Sequence, residues 1–498
     1  WRRFEAPFTM AQTYAAGGYN LSFWTTFPNQ EIEIGGFTIL DYGPGVPFSA
    51  LGLTAWPYDG HAADAPWRTA AAQRIDRYRK GDIVVALRDD AGKPMAGTGV
   101  RVKMRRHGFG FGTAVAGDAL QNTGADGANY RAALKRLFNK AVPENALKWP
   151  FFESWGRPQA DYMLPWLASN GFTQVRGHNV IWPGLSNLPQ DVQTLLKAAP
   201  VDATALRKRI DTHIAEAMAY ARGKVTEWDV LNEPYTNKDV QAALGDAEMI
   251  SWFQQARAAD PGAKLYINDY DNVESGGYSM QHINGFYSII KTMLEGGAPI
   301  DGIGLQAHFN TNLTAPDRVM EVFDQFAGFG KDLQITEFDV TLADEQLQAD
   351  YTRDFLTLAF SHPAVKGFMI WGFWAGAHWR PSAAMIRKDW STTLAHDAWN
   401  DLIYRQWWTD VTGTTGVDGT FRTRGFLGDY DVEYTVNGVT RTLPLTTSSN
   451  TLPTYVSNGS VAGTITAAGV VNGASFQGGG VAPGEIVTIF GSGFGPAS

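Results

Sequence analysis

The chain has 498 residues, enough for one large domain and smaller companions, and a net charge of -9 with acidic and basic residues mixed along its length. Without a Lys/Arg-rich block it lacks the electrostatic footprint of a nucleic-acid surface. The absence of cysteine excludes disulfides, thiolate zinc sites and cysteine nucleophiles, and no apolar run is long enough to read as a membrane span.

The opening "WRRFEAPF" lacks the apolar core of a signal peptide, so the chain reads as a soluble, mature or trimmed protein. Residues 1–65 alternate apolar and polar positions with Gly, Asn and Pro breaks, as in "YNLSFWTTFPNQEIEIGGFTILDYG", and predict a partial β-sandwich. Residues 66–108 read as a connecting segment, a helix followed by a hairpin around "DDAGKP".

From 109 to 408 short β-like runs recur at 110–115, 141–149, 174–182, 225–233, 264–270, 302–309, 333–340 and 365–373. Most gaps hold a segment of helical period such as "ATALRKRIDTHIAEAMAYARG". Eight strands alternating with helices predict an α/β fold of the (β/α)8 TIM-barrel type with flanking small β-sandwich-like segments. Residues 409–460 return to β character as a small domain with a turn at Asn437-Gly438, and 461–498 read as a Gly-rich linker running into a truncated β-domain.

Each barrel run begins apolar and ends polar or aromatic: Glu144 and Asn145, His178 and Trp182, Asn232 and Glu233, Asn268 and Tyr270, Gln306 and His308, Glu337 and Asp339, Trp371. In a barrel these ends share the C-terminal face, where such enzymes carry their chemistry. Glu233 and Glu337 are 104 residues apart in sequence yet fall on the fourth and seventh strands, so one mouth receives both. Two carboxyls across a cleft are what glycoside hydrolysis requires, one to protonate the leaving oxygen and one to attack the anomeric carbon or activate water. Asn232 is placed to bond a sugar 2-hydroxyl, and His308 and Asp339 to hydrogen-bond Glu337 and keep it ionised while Glu233 stays protonated. Indole faces at strand tips suit sugar rings.

The motifs "WDVLNEP", "ITEFDV", "VPENALKW", "VRGHNVIW", "NDY", "GLQAH" and "WG" followed by "HW" resemble, in order, the strand-end motifs of glycoside hydrolase family 10, the retaining endo-β-1,4-xylanases. The resemblance covers about 300 of the 498 residues. It implies Glu233 as acid/base and Glu337 as nucleophile, with no metal or cofactor. It further implies that Glu144, Asn145 and Lys148 bind on the glycone side, and that His178, Trp182 and Asn232 surround the sugar being cleaved. Tyr270 joins the substrate-binding set, Gln306 and His308 contact the sugar or orient Glu337, and Trp371 and Trp379 pack against glycone sugars, with Asp339 in support. The partner so implied is a plant cell-wall polysaccharide, xylan, met outside the cell or at its surface by a chain acting as a monomer, with no nucleic acid and no membrane insertion.

Two loops depart from the family. After Trp182 the chain has "WPGLSNLP", where Pro183 and Leu185 replace polar groups of a His-Ser-Gln run. Before Trp379 it has Ala375 and His378, where many members carry Asp and Ser. The latter loop resembles a subgroup, plant members included, whose barrel follows β-sandwich carbohydrate-binding modules, and the N-terminal segment resembles the closing strands of such a module. Since G-x-S-x-G, H-E-x-x-H and phosphate-binding glycine loops are absent from the sequence, serine hydrolase, zincin and nucleotide readings are unsupported. Three alternatives to a xylanase stay open at this point: hydrolysis of another β-1,4-glycan, transglycosylation, and non-catalytic polysaccharide binding.

Overall fold

The computed structural model describes residues 5–8, 10, 12–18, 20, 33–43, 45–47, 50–51 and 58–458, and the backbone of strands at Thr464–Asn472 and Val487–Ser492. Much of the expected N-terminal sandwich, including residues 21–32, lies outside the described residues, and the described residues before Pro66 contain no strand. A helix follows, α1 (Pro66–Arg79), opened by proline at its first position, where a missing N–H goes unneeded.

Next come β1 (Lys80–Ala86) and β2 (Gly99–His107). The residues "DDAGKP" do turn the chain between them, with Asp89 N donating to Lys93 O at 2.9 Å. The strands themselves do not form the expected hairpin. β1 lies between β13 (Thr420–Phe426) and β16 (Thr454–Ser457), whereas β2 lies between β12 (Asp410–Thr414) and β14 (Gly428–Val436), with β15 (Val439–Thr447) beyond. The reason is burial: Ile83, Val85, Val100, Val102 and Met104 need cover that two strands cannot provide. On β14 the period of two places Tyr430, Val432 and Tyr434 inward, while Asp429 and Asp431 meet Arg106 and Arg105 outside at 2.7 and 3.1 Å. β14 and β15 turn at Asn437 and Gly438, both with positive φ, as a two-residue hairpin requires.

The barrel is closed and parallel. Its strands are β3 (Gly110–Val115), β4 (Lys140–Pro143), β5 (Gln174–Ile181), β6 (Glu227–Asn232), β7 (Lys264–Asp269), β8 (Gly302–Leu305), β10 (Asp332–Val340) and β11 (Val365–Ile370), closed by β11 pairing with both β10 and β3. The sixth strand breaks at Gln306-Ala307, where Ala307 takes φ 70°, and resumes as β9 (His308–Phe309) beside β10. Helices pack outside: along Ala203–Ala221 the residues Leu206, Ile210, Ile214, Ala217 and Ala221 face inward at helical spacing, and Asp202 caps the start by accepting from Ala205 N at 2.9 Å.

Inside the barrel, below the mouth, lies a layer of paired charges. Arg176 reaches Asp229 through Nε at 3.0 Å and Glu227 through Nη1 at 3.0 Å, and Lys140 Nζ sits 2.5 Å from Glu227 Oε1. Gln334 donates to Glu227 and to Tyr266, each at 2.8 Å. These groups are buried, so each charge depends on its partners.

Candidate active site

Strands β6 and β10 deliver Glu233 and Glu337 to one mouth. Glu233 follows β6 with φ 52°, and its N–H donates to Asn268 O at 2.7 Å, which ties the turn to β7. Its carboxylate receives three donors: Trp182 Nε1 at 3.1 Å and Asn237 Nδ2 at 3.2 Å on Oε2, and Gln306 Nε2 at 2.9 Å on Oε1. Burial pushes the carboxyl up against the donation from Gln306, and the fields of Glu337 and Asp269 add to the rise, leaving it at about 7.

Glu337 is 5% exposed and takes the opposite direction. Asn268 Nδ2 donates to Oε1 at 2.9 Å, and His308 Nε2 lies 3.4 Å from Oε2. Burial alone would raise this carboxyl, but the His308 contact and the fields of His178 and His308 outweigh it, and Glu337 is held below the usual carboxylate range. His308 is pushed up to about 10: burial favours the neutral ring, and Asp339 and Glu337 overcome that.

Asp339 does not bond Glu337 directly, contrary to expectation, because its oxygens are turned to His308, Trp379 and Arg380. It acts at one remove. Its oxygens meet His308 Nδ1 in a 3.0 Å ion pair, accept from Trp379 Nε1 at 2.8 Å, and accept from Arg380 Nη1 at 3.1 Å. Gln306 also divides its contacts: its backbone carbonyl accepts from Glu337 N at 3.0 Å, while its side chain serves Glu233.

Around these, Asn232 is buried, its Oδ1 accepting from Asn268 at 2.9 Å and its Nδ2 left without a protein partner among the described residues. His178 Nδ1 meets Asp229 Oδ2 at 2.9 Å, and its ring meets Trp371 edge-on at 5.0 Å. Lys148 Nζ donates to Asn145 Oδ1 at 2.9 Å and lies 5.6 and 5.8 Å from the rings of Trp182 and Trp371. Beside it, burial raises Glu144, and Lys148 opposes that rise. Tyr270 is half-buried, its hydroxyl donating to Thr236 Oγ1 at 3.3 Å. Trp371 is nearly covered, whereas Trp379 is 49% exposed and 4.2 Å from the Arg380 guanidinium. Among the described residues no group of three or more His, Asp or Glu has the arrangement to hold a metal ion.

Asn237, Arg380 and the Arg176–Asp229 pair contribute to this site although the strand-end reading passes over them. Arg176 and Asp229 carried a signal, as charges at inward positions of otherwise apolar strands. Asn237 and Arg380 belong to loops, whose side-chain directions follow from tertiary packing.

A family model described as Glycosyl hydrolase family 10 matches residues 99–401. The anti-sigma-I factor RsgI6 of Acetivibrio thermocellus is 31% identical over 396 residues, covering 78% of this chain and 50% of that protein. Endo-1,4-beta-xylanase 1 of Arabidopsis thaliana is 27% identical over 397 residues, 78% of this chain and 40% of that protein. Endo-1,4-beta-xylanase 3 of Hypocrea jecorina is 32% identical over 293 residues, 56% of this chain and 77% of that protein. The chain thus spans half or less of the first two relatives' length. In fold it is similar to xylanase 10B from Thermotoga petrophila solved with xylobiose, with a TM-score of 0.54 at 24% identity over 60% of this chain and 95% of that one.

Proposed function

The chain belongs to glycosyl hydrolase family 10, and from that premise we propose that it is an endo-acting, retaining hydrolase of internal β-1,4-xylosidic bonds. The observation that carries the reading is the contrasting company of two buried carboxyls at one mouth: Glu233 accepts from the neutral donors Trp182, Asn237 and Gln306, whereas Glu337 lies 3.4 Å from the His308 ring, which Asp339 meets from behind. In the first step Glu337 attacks the anomeric carbon, the glycosidic C–O bond breaks, and the Glu233 proton goes to the departing oxygen. The ester so formed is resolved when Glu233, now a carboxylate, takes a proton from water, whose oxygen displaces Glu337 with overall retention. Asn232, with its free amide donor beside Glu337, suits the 2-hydroxyl of the sugar at the reacting centre. Lys148, Asn145, Glu144, Trp371 and Trp379 provide the glycone side, and Trp182, His178, Tyr270 and Gln306 border the cleaved bond. A polymeric substrate places this work outside the cell or at its surface.

The similarity to an anti-sigma-I factor over 78% of this chain favours a second reading, in which the barrel recognises a polysaccharide for a larger regulatory protein. One experiment separates the two. Product release is followed from xylan, arabinoxylan and mixed-linkage β-glucan, with Glu233→Gln as the blank. Short xylo-oligosaccharides from the xylans are expected; release mainly from glucan would move the substrate class, and xylan binding without any release would favour the second reading.

A further inference from the structure

We infer that Asn237, oriented by Asn187, is a positioning residue that closes off one oxygen of Glu233 and so fixes the other as the oxygen that delivers the proton. This rests on reading Glu233 as the acid/base. A carboxylate oxygen offers two lone-pair directions. On Oε2 both are taken, by Trp182 Nε1 at 3.1 Å and Asn237 Nδ2 at 3.2 Å. Among the described residues only Gln306 Nε2 donates to Oε1, at 2.9 Å, so one direction stays open for the transferable proton.

The orientation of the Asn237 amide follows from its neighbours rather than from its own density of contacts. Asn187 Nδ2 donates to Asn237 Oδ1 at 3.1 Å, which identifies that atom as the oxygen and turns Nδ2 toward Glu233. The same Nδ2 also reaches Glu233 O at 3.2 Å and Thr236 Oγ1 at 3.3 Å. A Cβ on Gly184 would lie 2.0 Å from Asn237 Oδ1, so only glycine lets the amide sit there. Leu185 N donates to Asp239 Oδ2 at 2.7 Å and Val240 N to Pro183 O at 3.2 Å, which binds the two loops together. Asn187, Gly184, Pro183 and Leu185 all belong to "WPGLSNLP", so one loop after β5 supplies the relay aimed at Glu233.

Other charged and titratable groups facing Glu233 are Glu337 on β10, Asp269 on β7 with its partner His282, Tyr270 after β7, and Lys148 after β4. A donor to a carboxylate favours the charged form, so its removal raises the titration midpoint. The test is a carbon-13 NMR titration of the Glu233 carboxyl in the full chain, assigned by difference with Glu233→Gln, together with the pH profile of kcat/KM on xylo-oligosaccharides. For Asn237→Ala both the midpoint and the basic limb are expected to rise by about half to one pH unit. Asn237→Asp should raise them further by adding a like charge, and Asn187→Ala should raise them less. An unmoved midpoint in Asn237→Ala or Asn187→Ala, with melting temperature unchanged, overturns the relay. A moved midpoint without turnover of any glycan supports the relay while removing the hydrolase reading.

Discussion

Burial by itself would raise both Glu233 and Glu337, and what separates them is the company each keeps. Glu337 has an imidazolium within reach, since His308 is held charged by Asp339 from behind. Glu233 has neutral donors and two carboxylate fields. With Glu233 at about 7, kcat/KM on xylan is expected to fall as pH rises through that value and the acid loses its proton. An aryl glycoside whose leaving group needs no proton should lack that basic limb; the same limb on both substrates would contradict the role. At the acid end the sign reverses. His308→Asn removes the partner that keeps Glu337 ionised, so its midpoint rises and the acid limb of the profile moves to higher pH, with an unmoved limb counting against the His308 contact. Glu337→Ala should abolish turnover of every glycoside, while Glu233→Ala should retain activated substrates. The two glutamates were legible in the sequence because each lies at or near the C-terminal end of a strand-like run, next to Asn232 and near Asp339. Asn237 was not, since its four-residue offset from Glu233 acquires meaning only when the loop carrying Asn187 folds against it.

At the scale of elements, the barrel strands lie where apolar runs met polar ends, and the interior layer shows why the barrel needs more than apolar filling. Arg176 holds both Asp229 and Glu227, and Asp229 in turn orients His178 at the mouth. Arg176→Met would leave buried carboxylates short of a cation, and breaking a buried pair from one side costs about 3–5 kcal/mol. Denaturant melts should report a loss of that size, and a loss under about 1 kcal/mol would mean that Lys140 and water suffice. The sixth strand was legible in extent and not in form. Its interruption at Gln306-Ala307 places the Gln306 side chain on Glu233 while its carbonyl takes the Glu337 N–H, a double use that no period in the sequence announces. The expected hairpin over 82–104 failed for a related reason: local turn chemistry was right around Gly92, but the partners of β1 and β2 come from more than 300 residues away.

For the molecule as a whole, those distant pairings mean that the segments before and after the barrel form one flanking unit. β1 is flanked on both sides by strands from residue 410 onward, and so is β2. The unit is also fastened to the barrel. Arg79 donates to Phe360 O and His362 O, each at 2.6 Å, and to Val365 O at 2.7 Å, while the Phe360 ring meets Phe426 of β13 at 6.2 Å. Ending the chain at Trp408 would strip β12 to β16 from both sheets and uncover Ile83, Val85, Leu87, Val100, Val102 and Met104, all buried in the full chain. At about 1.5–3 kcal/mol for each side chain, the loss is on the order of 10 kcal/mol, comparable to the whole stability of a typical domain. The two abandoned strands would also present open edges. A chain of residues 1–408 is therefore expected to be insoluble or to melt far below the full chain, and co-expression of residues 409–458 should restore it by supplying every missing neighbour. Soluble 1–408 with an undiminished melting temperature would mean that the barrel carries its own stability and that the flanking unit is an independent passenger.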